Sequence, residues 1–369
     1  MTDYRDPPGD GRGRYSHRPS GYPGGYGNGG PAPPYERWDA PPGFGYTPPR
    51  PGANPFKGLL RLNSNIVCAS LILVFASTRI FTWVLQFLFW AIPGLHGALQ
   101  GLSAVGLGIF NMSFSTLALF VPALLAAYWL SMPMGAAFPM RRASARLTVP
   151  GIFCCLGMSV VGVYISAILQ AILYGTAGAT ASMPDFSPPW GTTEIIMYMI
   201  AISVIPAIFE ELLFRGVIMQ SLRRFGDPFA LVVSSILFAM LHRNLLQGPN
   251  ALLTGLVLGY FTLRSGSLIP AIIMHFVNNF LVGALSVAMM HMPASQAQLL
   301  NFAVAPTYLA LGAIGIILMI ALNHGFIPMR QVAIGMGEGR KYWLFFSTPL
   351  AIVFIIVTFA LTSRFLTFG

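Results

Sequence analysis

Two adjacent carboxylates lie in an apolar stretch of this sequence, IPAIFEELLFRG at residues 205–216. Burial and mutual repulsion oppose ionising both of them, so the neutral form of one is favoured. Arg215 follows Glu211 by four residues, which on a helix is one turn along the same face. We therefore expect Arg215 to neutralise Glu211 and Glu210 to stay available for moving protons. An ion pair that merely joins two helices explains this segment equally well.

Two histidines and an asparagine follow in later apolar stretches. In FAMLH, Phe238 and His242 are four residues apart, and in HFVNN the same spacing separates His275 from Asn279. Each pair therefore occupies one face of a helix, while Asn278 lies on the neighbouring face. Taken singly, these residues could instead be interfacial or form hydrogen bonds between helices.

These five polar residues indicate a functional site more strongly together than singly. They fall on three predicted helices within about 70 residues, and Arg79 is the main other ionisable residue within a span. Ionisable groups are costly inside a membrane and indicate function by default. Because polar groups avoid lipid, these five should face one interior. They would supply a base, an imidazole to orient water and donors for an oxyanion, which amide hydrolysis requires.

The ordered pattern E-E-x-x-x-R, F-x-x-x-H and H-x-x-x-N resembles the CPBP family. These CAAX-processing and bacteriocin-processing membrane proteases are also called Abi or type II CAAX prenyl endopeptidase-like proteins. The pattern appears here as EELLFR, FAMLH and HFVNN, and the connecting stretch GLVLGYFTLRSGSLIPAIIMH is also similar. The resemblance covers roughly residues 194–290, about a quarter of the chain.

The resemblance implies an all-α bundle with a catalytic chamber that opens within the bilayer. It gives site roles to six residues: Glu210, Glu211, Arg215, His242, His275 and Asn279. Glu210 would activate the water with His242 assisting, and His275 and Asn279 would stabilise the oxyanion. Glu211 and Arg215 would organise the site.

Metal dependence stays open at this point. The family is often labelled metalloprotease, while a metal-independent glutamate mechanism is the competing account. The sequence contains no H-E-x-x-H, so zinc would need two histidines and a carboxylate from converging helices. The sequence establishes no cofactor, and zinc remains an alternative.

Membrane helices must position these residues. The 369 residues are 55% hydrophobic and only 9% charged, against about 25% charged in a soluble domain. We predict an all-α polytopic bundle of about eight to nine transmembrane helices. The predicted ranges are 66–92, 103–131, 148–174, 194–222, 228–242, 249–263, 267–290, 305–324 and 342–362. The fifth and sixth are short, and Gly255 and Gly259 would let the sixth pack closely.

Four regions follow from this pattern. They are a disordered Gly/Pro/Tyr-rich cytoplasmic tail, N-terminal membrane helices, a catalytic core and C-terminal membrane helices, at residues 1–56, 57–193, 194–290 and 291–369. Because the N-terminus is polar, we expect no cleavable signal peptide, and the first span would direct insertion. Three cysteines lie in apolar runs without metal-site spacing and are interpreted as small apolar residues: Cys68, Cys154 and Cys155.

The net charge of +10 predicts an orientation rather than nucleic-acid binding, because the basic residues form no single patch. With a cytoplasmic N-terminus and alternating helices, the cytoplasmic loops carry Arg141, Arg142, Arg146, Arg223, Arg224, Arg264, Arg330, Arg340 and Lys341. The opposite loops carry only Arg243, and the C-terminal tail carries Arg364. This asymmetry favours a cytoplasmic N-terminus and an external C-terminus. If one helix is re-entrant, the predicted sides of the loops that follow it would be inverted.

The sequence therefore predicts a multi-pass endopeptidase in a cell membrane, bacterial by our interpretation. Its partners would be the bilayer and a peptide or membrane-protein substrate. A non-enzymatic immunity or chaperone protein on the same scaffold is one alternative. A proton-coupled transporter is another, but it would favour two related halves, and no internal repeat is visible.

Overall fold

Helices make up almost all of the chain that this computed structural model describes, which is residues 54–95, 97, 104–183, 188–326 and 328–368. The first four helices are α1 Pro55–Ala91, α2 Ala104–Trp129, the one-turn α3 Met134–Ala137 and α4 Ala145–Ala177. Next come α5 Thr192–Phe225, α6 Asp227–Leu241, α7 Gly248–Ser265 and α8 Ile269–Met290. The last are α9 Ala294–Asn323, α10 Glu338–Phe346 and α11 Pro349–Thr362. The predicted disordered tail lies outside the described residues as far as residue 53.

A small sheet completes the fold. Strand β1, Ala179–Ala181, follows α4 and pairs antiparallel with β2, Leu366–Phe368, near the end of the chain. A 3₁₀ turn, Ser363–Phe365, leads from α11 into β2. The protein is therefore an all-α bundle with a single short strand pair in its described part.

Six of the described helices are long and apolar enough to cross a membrane, and α10 with α11 could form a seventh span that is bent by 72°. The predicted count of eight to nine spans is therefore not confirmed. The fifth predicted helix is α6, whose 15 residues extend only about 22 Å at 1.5 Å per residue. That falls short of the roughly 30 Å hydrocarbon core. The sixth, α7, carries Pro249, Asn250 and Arg264 and is less apolar.

The loops gather at two ends of the bundle. Hydrogen bonds link the segments before α4, after α5, after α7 and after α9: Leu268 N to Pro139 O, Arg264 Nη2 to Asn323 O, Asn323 Nδ2 to Arg146 O, and Arg330 Nη2 to Arg223 O. The start of α1 joins them, since Asn54 Nδ2 donates to Ile334 O at 2.6 Å. We call this the basic end, because the arginine-rich loops lie there.

The other end, called here the far end, holds the opposite connections. Asn244 Nδ2, after α6, donates to Ser182 O at 2.8 Å, and Ser182 N donates to Phe365 O at 2.8 Å. Trp190, before α5, contacts His291 after α8 with ring centroids 5.1 Å apart. The two short helices thus run between the same ends as the long ones.

Helix α5 carries the two glutamates between two π-helical segments, Ile200–Val204 and Leu212–Ile218. In each segment an amide side chain bonds one backbone carbonyl. Asn279 Nδ2 donates to Ile202 O at 3.1 Å, and Gln220 Nε2 donates to Arg215 O at 3.0 Å. Because lipid offers no partners to backbone groups, these side-chain bonds stabilise the distorted turns.

The second half of α5 is the centre of the core. Every side chain from Glu211 to Arg223 is buried. The hydrophobic cluster around it includes Val67 of α1, Ala126 of α2 and Phe229 of α6. The three cysteines are buried and form no disulfide, which agrees with their interpretation as small apolar residues. The glutamate pair therefore lies where a half-exposed stretch of helix becomes fully buried.

Candidate active site

The six predicted site residues come from three helices. Glu210, Glu211 and Arg215 lie on α5, His242 caps the C-terminus of α6, and the remaining two, His275 and Asn279, lie on α8. Helix α8 packs along α5 beside the glutamates. A fourth helix, α7, contributes a backbone carbonyl, as described below.

Glu211 and Arg215 form the expected ion pair. Arg215 Nη1 donates to Glu211 Oε1 at 2.7 Å, and the two side chains are 1% and 0% exposed. Arg215 Nη2 donates to Gly255 O of α7 at 3.2 Å. The guanidinium also lies 4.3 Å from the centre of the Phe238 ring, which adds a cation–π contact. The arginine is thus fixed by contacts to three helices.

His275 connects the two glutamates. Its Nδ1 lies 2.9 Å from Glu211 Oε1, and its Nε2 lies 4.0 Å from Glu210 Oε2. Because Glu211 faces Arg215 as a carboxylate, it accepts, and His275 Nδ1 must carry the proton.

Glu210 is the less restrained carboxylate. Its side chain is 16% exposed, and it makes no direct hydrogen bond to any residue that the structure describes. His275 Nε2 contacts it at 4.0 Å. Glu210 therefore remains available to a water molecule or a substrate, as expected from the sequence.

His242 lies at the end of α6, oriented by its own helix. Its Nδ1 is 2.9 Å from Phe238 O, and its ring meets the Phe238 ring edge-on with centroids 4.9 Å apart. Within the described part of the chain, no direct hydrogen bond joins His242 to either glutamate. Its Nε2 is left for a water or substrate atom.

The asparagines of α8 act as a pair. Asn278 Nδ2 donates to Asn279 Oδ1 at 3.3 Å, and Asn279 Nδ2 donates to Ile202 O. Asn278 is buried, and its Oδ1 has no partner among the described residues. An amide nitrogen has two hydrogens, so Asn279 keeps one N–H for another acceptor. Asn278, which lies on the neighbouring face of α8, is thus hydrogen-bonded to a predicted site residue rather than separate from the site.

Phe238 and Gly255 are site residues that sequence reasoning did not identify as such. Phe238 contacts His242, His275 and Arg215, with its ring 5.9 Å from the His275 ring. A Cβ on Gly255 would lie 3.3 Å from both Arg215 Nη2 and the Phe238 ring. The sequence shows the spacing of Phe238 from His242 and of Gly255 from Gly259, but the partners of these residues depend on tertiary packing.

The donor set does not fit a zinc site. No group of three or more His, Cys, Asp or Glu side chains within the described ranges could hold a metal ion. Zinc requires at least three protein ligands, and no three such side chains converge within the described ranges, although the Nε2 atoms of His275 and His242 stay free. The geometry instead offers a free carboxylate, two imidazole Nε2 atoms and an amide N–H.

Comparison with known proteins supports the resemblance. Residues 192–281 match the family model described as Type II CAAX prenyl endopeptidase Rce1-like, which is consistent with the CPBP family. This family is proteolytic. The matched segment runs from the start of α5 into α8 and contains all six site residues. No match is found among curated proteins or among solved structures.

Proposed function

We propose that this CPBP-type chain is an intramembrane endopeptidase in which Glu210 activates water without a metal. The observation that carries the proposal is the chain of contacts from Arg215 through Glu211 to His275, which ends 4.0 Å from the freer carboxylate of Glu210. Adjacent carboxylates in different environments are a recurring way to separate an acid–base group from a structural one.

The reaction begins with proton transfer from water to Glu210. The water oxygen forms a bond to the scissile carbonyl carbon, and the carbonyl oxygen becomes an oxyanion. Glu210 then gives the proton to the departing amine nitrogen as the C–N bond breaks. The products are a carboxylate and an amine, and Glu210 returns to its ionised form. His242 Nε2 would assist by orienting the water.

Hydrogen-bond donors on α8 would stabilise the oxyanion. Asn279 has one amide N–H beyond the one given to Ile202 O, and His275 Nε2 can donate when the ring is doubly protonated. Glu211 lies behind His275 and balances that charge. Glu211 and Arg215 are therefore positioning residues, because they act on the reaction through His275.

The two alternatives predict different products. A membrane immunity or chaperone protein on this scaffold would bind a peptide and leave it intact. A proton-coupled transporter would move a solute and generate no new peptide ends. The proposed substrate class is a peptide or membrane protein whose scissile bond reaches the bilayer.

A cleavage assay tests the function directly. Full-length protein reconstituted in vesicles is expected to generate new N-termini in a membrane-anchored reporter peptide, detected by mass spectrometry. The rate should be unchanged by a chelator, because Glu210 and the imidazoles supply the chemistry. Cleavage that stops with chelator and returns with zinc would overturn the metal-free mechanism. Complete absence of cleavage across a varied peptide set would favour the alternatives.

Asn279→Ala is expected to lower turnover by about 10²–10³-fold, the usual effect of removing one oxyanion donor. It also removes the bond to Ile202 O, which should cost about 1–3 kcal/mol of stability. Gln220→Ala is the comparison variant, because it removes the same type of bond to a π-helical carbonyl, that of Arg215, together with a bond from Arg223, and no proposed oxyanion donor. Turnover and thermal unfolding of both variants separate the two effects. Equal turnover losses would return Asn279 to a structural role.

We further propose that the basic end faces the cytoplasm, in what we take to be a bacterial cell membrane. Short loops rich in arginine and lysine are retained on that side, and the hydrogen bonds described above gather them at one end. The N-terminus would then be cytoplasmic and the C-terminus external.

Reporter fusions test this orientation. A reporter inserted at 141–146 and one at 330–341 should both be cytoplasmic, while one at the C-terminus should be external, because these segments lie at opposite ends. Cytoplasmic activity of a C-terminal fusion, with 330–341 also cytoplasmic, would show that α10 and α11 do not cross together.

A further inference from the structure

An apolar cavity of about 550 Å³ lies between α4, α7 and α9. None of the six site residues lines it, so it is separate from the proposed catalytic chamber. Leu309 and Ile316 of α9 line the cavity and are 40% and 48% exposed. The cavity therefore opens on the outer surface of the bundle, and its volume is in the range typical of small-molecule sites.

The walls of the cavity specify an apolar ligand. The lining consists of aliphatic and aromatic side chains, with the Tyr260 hydroxyl as its main polar side-chain group. A buried water needs two to four polar partners, so water is not a stable occupant. Helices α4 and α9 are both candidate membrane spans, so the exposed lining residues of α9 would face hydrocarbon. A lipid acyl chain is the apolar group available there.

One end of the cavity leads to an arginine. Tyr260 and Phe326 both line the cavity, with ring centroids 5.5 Å apart. Arg264 follows Tyr260 by four residues and so lies one turn closer to the basic end on the same face of α7. Its Nη2 donates to Asn323 O at 2.7 Å, while its Nη1 has no hydrogen-bond partner among the described residues.

A second cation lies at the same end. Arg146 is exposed at the start of α4, and its carbonyl accepts a hydrogen bond from Asn323 Nδ2 at 2.8 Å. Asn323 thus links the ends of the helices that form the cavity. Basic pockets between membrane helices bind anionic lipid headgroups, and here such a pocket continues into an acyl-chain cavity.

We propose that this cavity binds one acyl chain of an anionic phospholipid whose headgroup contacts Arg264 and Arg146. The chain would enter past Tyr260 and lie against α9, and it would stabilise the packing of α9 on the bundle. This site is independent of the proposed protease activity, so binding rather than turnover is the relevant measurement.

The test compares phosphatidylglycerol with phosphatidylcholine of identical chains, each added to delipidated full-length protein in detergent. Retained lipid is counted by native mass spectrometry, and the melting temperature is recorded. Phosphatidylglycerol should be retained more strongly and should raise the melting temperature more. Arg264→Gln should lower that preference roughly fivefold, the effect of one basic residue near an anionic surface.

Filling the cavity should abolish retention of both lipids. Ala313→Phe and Ile316→Trp enlarge two lining side chains on α9, and Ile317→Phe, on an exposed side chain outside the lining, is the control. Equal lipid retention by Ala313→Phe and Ile317→Phe, with both folded, would overturn the proposal. So would equal retention of the two lipids by the wild type.

Discussion

Glu210→Gln is expected to lower turnover by about 10²–10⁴-fold, the contribution of a general base, without loss of folding. Glutamine keeps the size of the side chain but cannot take a proton from water at this step. Glu210 makes no direct hydrogen bond within the described residues, so the substitution breaks no observed hydrogen bond and removes only the charge that faces His275 Nε2 at 4.0 Å. Turnover on a reporter peptide, membrane insertion and the melting temperature should be measured together.

Glu194→Gln is the matched control for this experiment. It makes the same chemical change on the same helix, in the first turn of α5 and away from the site. Its turnover should match the wild type. If Glu210→Gln keeps most of the activity while Glu194→Gln behaves normally, Glu210 is not the base and the proposed mechanism fails.

Arg215→Met is expected to destabilise the protein by about 3–5 kcal/mol, because removing one partner of a buried ion pair leaves the other charge uncompensated. Glu211 is fully buried, and Arg215 is the group that neutralises it. The variant should also lose activity, since His275 depends on Glu211 for its position. Unfolding in detergent and turnover measure the two effects.

The double variant Glu211→Gln/Arg215→Met distinguishes charge from packing. It removes both charges at once, so much of the stability lost in Arg215→Met should return. Activity should stay low, because an uncharged amide in place of the Glu211 carboxylate cannot balance a protonated His275. A double variant as unstable as the single one would assign the effect to lost contacts with Gly255 and Phe238 instead.

Apolar runs and local spacing predicted much of the fold. Helix α5 was expected at 194–222 and extends over Thr192–Phe225, since a long apolar run with few breaks admits little else. Helix α9 begins at Ala294 rather than 305, because polar residues near its start weakened the apolar signal without preventing helix formation. The predicted helix 342–362 is instead broken before Pro349, where the residue preceding proline is disfavoured in a helix.

Spacing also predicted the local part of the site but not its assembly. The Glu211–Arg215 pair follows from four-residue spacing on one helix. The contact between His275 and Glu211 joins residues 64 positions apart, and that between Asn279 and Ile202 joins residues 77 apart. Such contacts depend on how α8 packs on α5, for which a single sequence carries no periodic signal.

The π-helical turn after Glu211 has a consequence for alignment along α5. An α-helix advances about 100° per residue, and a π turn accommodates one extra residue. Residues beyond Ile218 are therefore rotated by about one residue step relative to an uninterrupted α-helix. This phase offset sets the angle between Glu210 and the core contacts of the second half of α5. A one-residue deletion between 212 and 218 would retain every site residue yet change the angular relation between the carboxylates and the core that supports them.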